Sequence, residues 1–184
     1  VVDASGSLAL RRLAEAKGAV ELLLADCYIR RDRVALLAFR DRAAELLLPP
    51  TRALARAKRC LAGLPGGGGT PLASGLDAAL ALAEAVRRQG EIPVVVVLTD
   101  GSANIARDGT AGRSRAETDA LAAAAALRAA ALAALLVDTS PRPAARARQL
   151  AEALGGTYLP LPYADATTLS GIVQQAARAA APAR

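Results

Sequence analysis

Oxygen-bearing side chains follow three distant stretches of this 184-residue chain. Two of the stretches are aliphatic, Val1-Val2 and Val94–Leu98, and the third is a run of four glycines, Gly66–Gly69. Because the carboxyl ends of neighbouring parallel strands lie at the same edge of a sheet, such strands would bring these side chains together. The candidates are two carboxylates and three hydroxyls, without nitrogen or sulfur ligands: Asp3, Ser5, Ser7, Thr70 and Asp100. This donor set predicts a site for a hard divalent cation such as Mg²⁺.

Each of these segments also has an ordinary local interpretation. The segment from Asp3 to Ser7 could be a strand end followed by a helix cap, which is the simpler explanation for that segment alone. Thr70 could cap the helix that follows it, and Asp100-Gly101 could be a plain turn. The metal site is favoured because all three segments fall at predicted strand ends or helix starts that converge in one fold.

The composition excludes several kinds of site. The chain has no histidine, which removes His-based acid–base catalysis and the common zinc sites. Its two cysteines, Cys27 and Cys60, form no Cys-x-x-Cys motif, so we expect small buried apolar residues in a reducing cytoplasm. No apolar run approaches the roughly 20 residues that cross a bilayer, and no signal peptide is recognisable.

The net charge of +6 comes from arginines scattered along the chain. Aromatic residues are only 2% of the sequence, so stacking contacts with single-stranded nucleic acid are not expected. The basic surface is therefore interpreted as solvated, or as docking an acidic protein partner.

Apolar periodicity and turn residues predict alternating helices and strands. A short helix is predicted from a Thr51 cap to about Leu61, and a longer one from a Thr70 cap, with Pro71 at its first position, to Gly90. The other predicted helices are Leu8–Ile29, Glu117–Ala129, Ala144–Leu154 and Thr168–Ala180; the strands after the first are Val34–Phe39, Ala43–Leu48 (closed by Pro49-Pro50), Val94–Leu98, Leu132–Val137 and Thr157–Leu161; a polar loop spans Gly101–Arg115.

These elements predict an α/β protein with a doubly wound, mostly parallel sheet and helices on both faces. Only residues 40–42 separate the second and third strands, so they are predicted to form an antiparallel hairpin that leaves one antiparallel strand at the edge. Ligands bind such sheets where the strand order reverses, here between the first and fourth strands. Since only two residues precede Asp3, we expect the single domain of residues 1–184 to be part of a longer protein.

The pattern Asp3-x-Ser5-x-Ser7, with a later Thr70 and a later Thr99-Asp100-Gly101, resembles the metal-ion-dependent adhesion site of von Willebrand factor A (VWA, or integrin I-like) domains. The resemblance implies that Ser5, Ser7 and Thr70 contact the metal directly. It also implies that the two aspartates act largely through water. One coordination position would stay open for a carboxylate of a partner protein.

A narrower resemblance is to the C-terminal domain of the magnesium chelatase D subunits. It is carried by Leu8–Cys27, by Arg33–Arg40, by Leu46–Thr51, by Leu64–Leu72, by Leu98–Asn104 and by Val137–Pro141. It implies a cytoplasmic bacterial complex for bacteriochlorophyll or chlorophyll synthesis, which inserts Mg²⁺ into protoporphyrin IX at the expense of ATP.

In that family the D subunit joins an AAA+ ATPase subunit to a large porphyrin-binding subunit in a hetero-oligomeric ring complex. The resemblance thus implies that this domain docks the ATPase through a carboxylate at the metal, binds no ATP and has no catalytic residues of its own. The family's AAA+-like N-terminal domain is not in this sequence.

Other functions stay open at this point. A VWA subunit of a cobalt chelatase would share the same site, and an extracellular adhesion domain would share it in a secreted, disulfide-bonded context. A phosphoryl-transfer enzyme with Asp3 as nucleophile is disfavoured. Such enzymes carry an Asp-x-Asp motif after the first strand, and this chain has Ser5 in place of the second acid; in addition, only two lysines could hold a phosphate.

Overall fold

The computed structural model describes residues 1–5, 10–161 and 166–180. Strands and helices alternate as predicted. The strands are β1 (Val2–Asp3), β2 (Val34–Arg40), β3 (Ala43–Thr51), β4 (Val94–Thr99), β5 (Ala133–Asp138) and β6 (Thr157–Pro160); the helices are α1 (Leu10–Ile29), α2 (Leu54–Ala62), α3 (Leu72–Arg88), α4 (Arg113–Ala129), α5 (Ala145–Leu154) and α6 (Ala166–Ala180).

The six strands form one sheet in the order β3-β2-β1-β4-β5-β6. β1 pairs in parallel with both β2 and β4, with Val2 opposite Ala38 on one side and Leu98 on the other. Only the β2–β3 pair is antiparallel, and β3 lies at the edge. The predicted fold class is confirmed, and the strand order reverses between β1 and β4 as expected.

Two aliphatic cores cover the two faces of the sheet. Helices α3, α4 and α5 pack on one face through buried leucines and alanines, and α1, α2 and α6 cover the other face. The single phenylalanine, Phe39, is fully buried against α3. A Cβ at Gly75 of α3 would lie 2.6 Å from the ring carbon Cδ1 of Phe39, so glycine is needed for this close approach.

The hairpin strand β3 is longer than predicted. It continues through Pro49 and Pro50 to Thr51, because an edge strand can lack N–H donors on its outer side. The prediction that Thr51 caps α2 is therefore wrong. Its hydroxyl accepts a hydrogen bond from the N–H of Ala53 (3.1 Å), and α2 begins at Leu54.

Several other helix boundaries differ from the predictions. Pro71 is the N-cap of α3 rather than its first residue, so the prediction that Thr70 caps this helix is wrong. Helix α4 begins at Arg113, within the stretch predicted as a loop. Helix α6 begins at Ala166, two residues early, and the predicted start of the first helix at Leu8 lies outside the described residues.

Cys27 is buried as predicted, Cys60 is half-buried, and both are free thiols. Among residues 1–5, 10–161 and 166–180, none of the helices combines the length and the apolar character that crossing a bilayer requires.

Candidate metal centre

Asp3 lies at the end of β1 and is held on both sides. Its Oδ1 accepts a hydrogen bond from the backbone N–H of Ser5 (2.9 Å), and its Oδ2 accepts one from the hydroxyl of Thr99 (3.0 Å). The Thr99 hydroxyl in turn accepts a hydrogen bond from the N–H of Gly101 (3.1 Å). The ends of β1 and β4 are therefore tied together through a buried carboxylate.

Burial raises the pKa of Asp3 from 3.8 to about 6, since the charged form loses its hydration. The hydrogen bonds from Ser5 and Thr99 oppose this effect, and the negative charge of Asp100 adds to it. The influence of Asp100 means that the two carboxylates repel each other across the β1–β4 boundary. Such a pair calls for a positive charge between or beside its members.

Asp100 follows β4 and is 4% exposed. Its Oδ1 accepts hydrogen bonds from both the backbone N–H (2.8 Å) and the hydroxyl of Ser102. Its Oδ2 accepts one from the guanidinium of Arg146 (3.0 Å). The loop after β4 is thus folded around the carboxylate.

Thr70 is held in place by hydrogen bonds of its backbone rather than of its side chain. Its N–H donates to Oδ1 of Asn104 (2.6 Å), and its carbonyl oxygen accepts hydrogen bonds from the N–H groups of Asn104 and Ile105. Its hydroxyl oxygen is fully buried and has no hydrogen-bond partner among the described residues. A buried hydroxyl without a partner is uncommon in proteins, and at this position it leaves an oxygen available to a ligand.

Two glycines of the loop before Thr70, Gly68 and Gly69, leave no room for a side chain. A Cβ at Gly69 would lie 2.5 Å from the carbonyl oxygen of Asp41 and 2.6 Å from Cγ1 of Ile105, and Gly68 adopts a φ of +80°. The N–H of Gly67 donates to the carbonyl oxygen of Ala4 (2.9 Å). The loop therefore joins Thr70 to the segment after β1 by close contact.

Three of the five predicted site residues, Asp3, Ser5 and Asp100, are linked at this one edge of the sheet by the contacts above. Thr70 is tied to the same edge indirectly, through the Gly67–Ala4 hydrogen bond and through Asn104 in the loop after β4. The fifth, Ser7, lies outside the described residues. Within those residues, no three side chains drawn from His, Cys, Asp and Glu are grouped to hold a metal ion. Any cation here would therefore depend on hydroxyl oxygens as well as carboxylates.

The amino-acid sequence places the chain among known domains. A family model described as "von Willebrand factor type A domain" matches residues 1–102. The chain belongs to the von Willebrand factor type A family. VWA domains commonly bind a divalent metal ion.

This VWA domain is also similar to individual proteins. It is 59% identical over 172 residues to the "Magnesium-chelatase 60 kDa subunit" of Cereibacter sphaeroides. The match covers 94% of this chain and 31% of the relative. The chain thus spans about a third of that relative's length. Among solved structures, a chain in a cryo-EM-based complex of subunits BchI and BchD of magnesium chelatase is 39% identical, with a TM-score of 0.60, coverage of 100% of this chain and 95% of the other.

A more distant structure shows the fold alone. BatB from Bacteroides thetaiotaomicron is 17% identical and has a TM-score of 0.72, and the match covers 96% of each chain.

The VWA structure brings three polar residues to the same edge that were not among the predicted ligands. Asn104 holds the backbone of Thr70, and Arg146 contacts Asp100. Asp138, at the end of β5, accepts hydrogen bonds from the N–H groups of Ser140 and Ala144 and from the hydroxyl of Tyr158. Asp138 repeats the pattern of an acid after an aliphatic strand, and Asn104 lies in the polar loop after β4, so both carried a sequence signal, whereas Arg146 carried none.

Proposed function

We propose that this VWA domain is a metal-dependent protein-docking module. Asp3, Ser5, Ser7, Thr70 and Asp100 hold a hard divalent cation, with Mg²⁺ as the first candidate. The cation keeps one coordination position for a carboxylate of a partner protein. The observation that carries the proposal is the buried hydroxyl oxygen of Thr70, which has no hydrogen-bond partner among the described residues and follows the loop that contacts the segment after the buried carboxylate of Asp3.

The residues present fit such a cation. A dication would supply the partner that the Thr70 hydroxyl lacks, and it would offset the repulsion between Asp3 and Asp100. The oxygens of both aspartates already accept hydrogen bonds from protein groups, which favours contact with the metal through water. The hydroxyls are then the direct ligands on the protein side.

The similarity to magnesium-chelatase subunits supports a role for the longer protein. We propose that this chain is the C-terminal VWA domain of a subunit of an ATP-dependent magnesium chelatase, which inserts Mg²⁺ into protoporphyrin IX for (bacterio)chlorophyll synthesis in the bacterial cytoplasm. The domain links an AAA+ ATPase subunit of the BchI kind to the porphyrin-binding subunit. It uses no ATP and performs no catalysis itself; the inserted Mg²⁺ is the substrate of the complex and is distinct from the docking ion.

The test is Thr70→Val, which replaces a hydroxyl by a methyl group of the same shape. Because the hydroxyl makes no hydrogen bond to any described residue, the variant should unfold at the same or a higher urea concentration than the parent in EDTA. We expect Mg²⁺ binding, measured by calorimetry, to weaken at least about tenfold, since one direct ligand is lost. Capture of the BchI-type ATPase in Mg²⁺ should weaken in parallel.

The matched control is Thr139→Val, because the Thr139 hydroxyl is also buried without a partner in the described part of the chain but is not among the proposed ligands. It should leave both affinities unchanged. A parent that binds neither Mg²⁺ nor Mn²⁺, or a Thr70→Val variant that binds the ion as tightly as the parent, would refute the docking proposal.

A further inference from the structure

Arg146 is a positive charge fixed against one of the two site carboxylates. Its Nε donates to the carbonyl oxygen of Asp100 (3.0 Å), and its terminal nitrogen donates to Oδ2 of the same residue (3.0 Å). The Asp100 side chain is 5% exposed, whereas that of Arg146 is 53% exposed. The guanidinium therefore binds a buried carboxylate at the protein surface and remains half-exposed to solvent.

The first turn of α5 holds Arg146 in this position. A Cβ at Gly101 would lie 2.8 Å from both Cα and N of Ala147, so α5 packs directly on the backbone after Asp100. On the other side, the N–H of Ala144 donates to Oδ2 of Asp138 (3.0 Å). Because the residues on both sides of Arg146 are anchored, its contact with Asp100 is built into the fold.

The charges of the site show what this contact changes. The carboxylates of Asp3 and Asp100 together carry two negative charges, and a bound dication would bring the sum to zero. With the guanidinium included, the loaded site is positive by one unit. An anionic ligand is attracted to a positive site, and a dication is bound less tightly when a cation already neutralises one of its carboxylates.

We infer that Arg146 is a specificity-determining residue that weakens cation binding at this site and strengthens binding of the partner's carboxylate. The inference rests on the proposed docking function and names how the same site favours an acidic partner. Arg146 has this effect because its half-exposed guanidinium lies beside the carboxylate that borders the cation. A residue that only stabilised the loop after β4 would change both affinities in the same direction.

The experiment compares the parent chain with Arg146→Gln, Arg146→Lys and the control Arg142→Gln. Arg142 is exposed and precedes α5, so its replacement changes net charge equally. Calorimetry with MgCl₂ measures cation affinity, and binding to the BchI-type ATPase at saturating Mg²⁺ measures partner affinity. We expect Arg146→Gln to bind Mg²⁺ about three- to tenfold more tightly, with solvent screening considered, and the partner about tenfold more weakly.

The Lys variant keeps the charge but not the two-pronged contact, so both affinities should lie between those of the parent and Arg146→Gln. The Arg142→Gln control should match the parent in both. If the parent binds Mg²⁺ and the ATPase but Arg146→Gln weakens both or changes neither, the inference is overturned and the docking function stands. If the parent binds no Mg²⁺, both are overturned.

Discussion

Replacing Asp3 by asparagine should stabilise the metal-free protein at neutral pH. Burial raises the pKa of Asp3 to about 6, and a shift of about two units corresponds to about 3 kcal/mol of unfavourable ionisation. The hydrogen bonds to Asp3 can be kept, because the Thr99 hydroxyl can turn from donor to acceptor toward an amide. We therefore expect Asp3→Asn to raise the free energy of unfolding by about 2 kcal/mol in EDTA at pH 8.

The pH dependence follows from the direction of this shift. The folded metal-free state holds its proton on Asp3 more tightly than the unfolded state does, so the parent loses stability as pH rises from about 4 through about 6. The advantage of Asp3→Asn should be complete above pH 6 and shrink toward pH 4. Added Mg²⁺ should stabilise the parent and leave the variant nearly unchanged, since the variant lacks one site charge.

Urea unfolding followed by circular dichroism at pH 4.5 and pH 8, each with EDTA or MgCl₂, measures all four values. Glu117→Gln is the matched control, because Glu117 is an exposed acid on α4. It should show neither the gain in EDTA nor the loss of the Mg²⁺ response. An Asp3→Asn variant that is less stable than the parent in EDTA at pH 8, or that gains equally from Mg²⁺, would refute the reasoning.

Two further predictions concern the elements around the site. Gly101→Ala should lower the free energy of unfolding by about 2–4 kcal/mol, because the φ of Gly101 is +76° and a Cβ would meet Ala147. Gly90→Ala is the control, because Gly90 has a φ of +80° but open space, and it should cost only about 1 kcal/mol. Equal losses in thermal or urea unfolding would contradict the packing argument. Tyr158→Phe removes the hydrogen bond to Asp138 (2.6 Å) and should cost about 1 kcal/mol. Burial, then that hydrogen bond, raises the pKa of Tyr158 to about 12, so the parent should lose stability from pH 10 to 12 more steeply than the variant, and equal slopes would contradict this.

The sequence predicted the sheet and its reversal point because both depend on local patterns. Val94–Leu98 reads as a strand covered on both faces, and the helices on either side have one apolar face. Strand ends then follow from the first polar residue, which is why Asp3 and Asp100 could be placed at one edge. The metal role of these residues stays a prediction, as does that of Ser7.

Details that depend on distant residues were not predictable in this way. The segment Thr70-Pro71 looks like a normal helix start, yet Pro71 is the N-cap of α3 and no side chain caps the helix. Thr70 is held instead through its backbone N–H by Asn104, 34 residues away. Arg146 meets Asp100 across 46 residues without any motif. Arg107, in the loop after β4, is likewise paired with Asp77 on α3, 30 residues away.

The edge strand β3 has a consequence for how copies of this protein can meet. An exposed strand normally invites another chain to extend the sheet, which leads to aggregation or fibres. Pro49 and Pro50 have no N–H to donate to an incoming strand, and Glu45 places a charge earlier on the same strand. Addition of another molecule's strand at the β3 edge is therefore disfavoured.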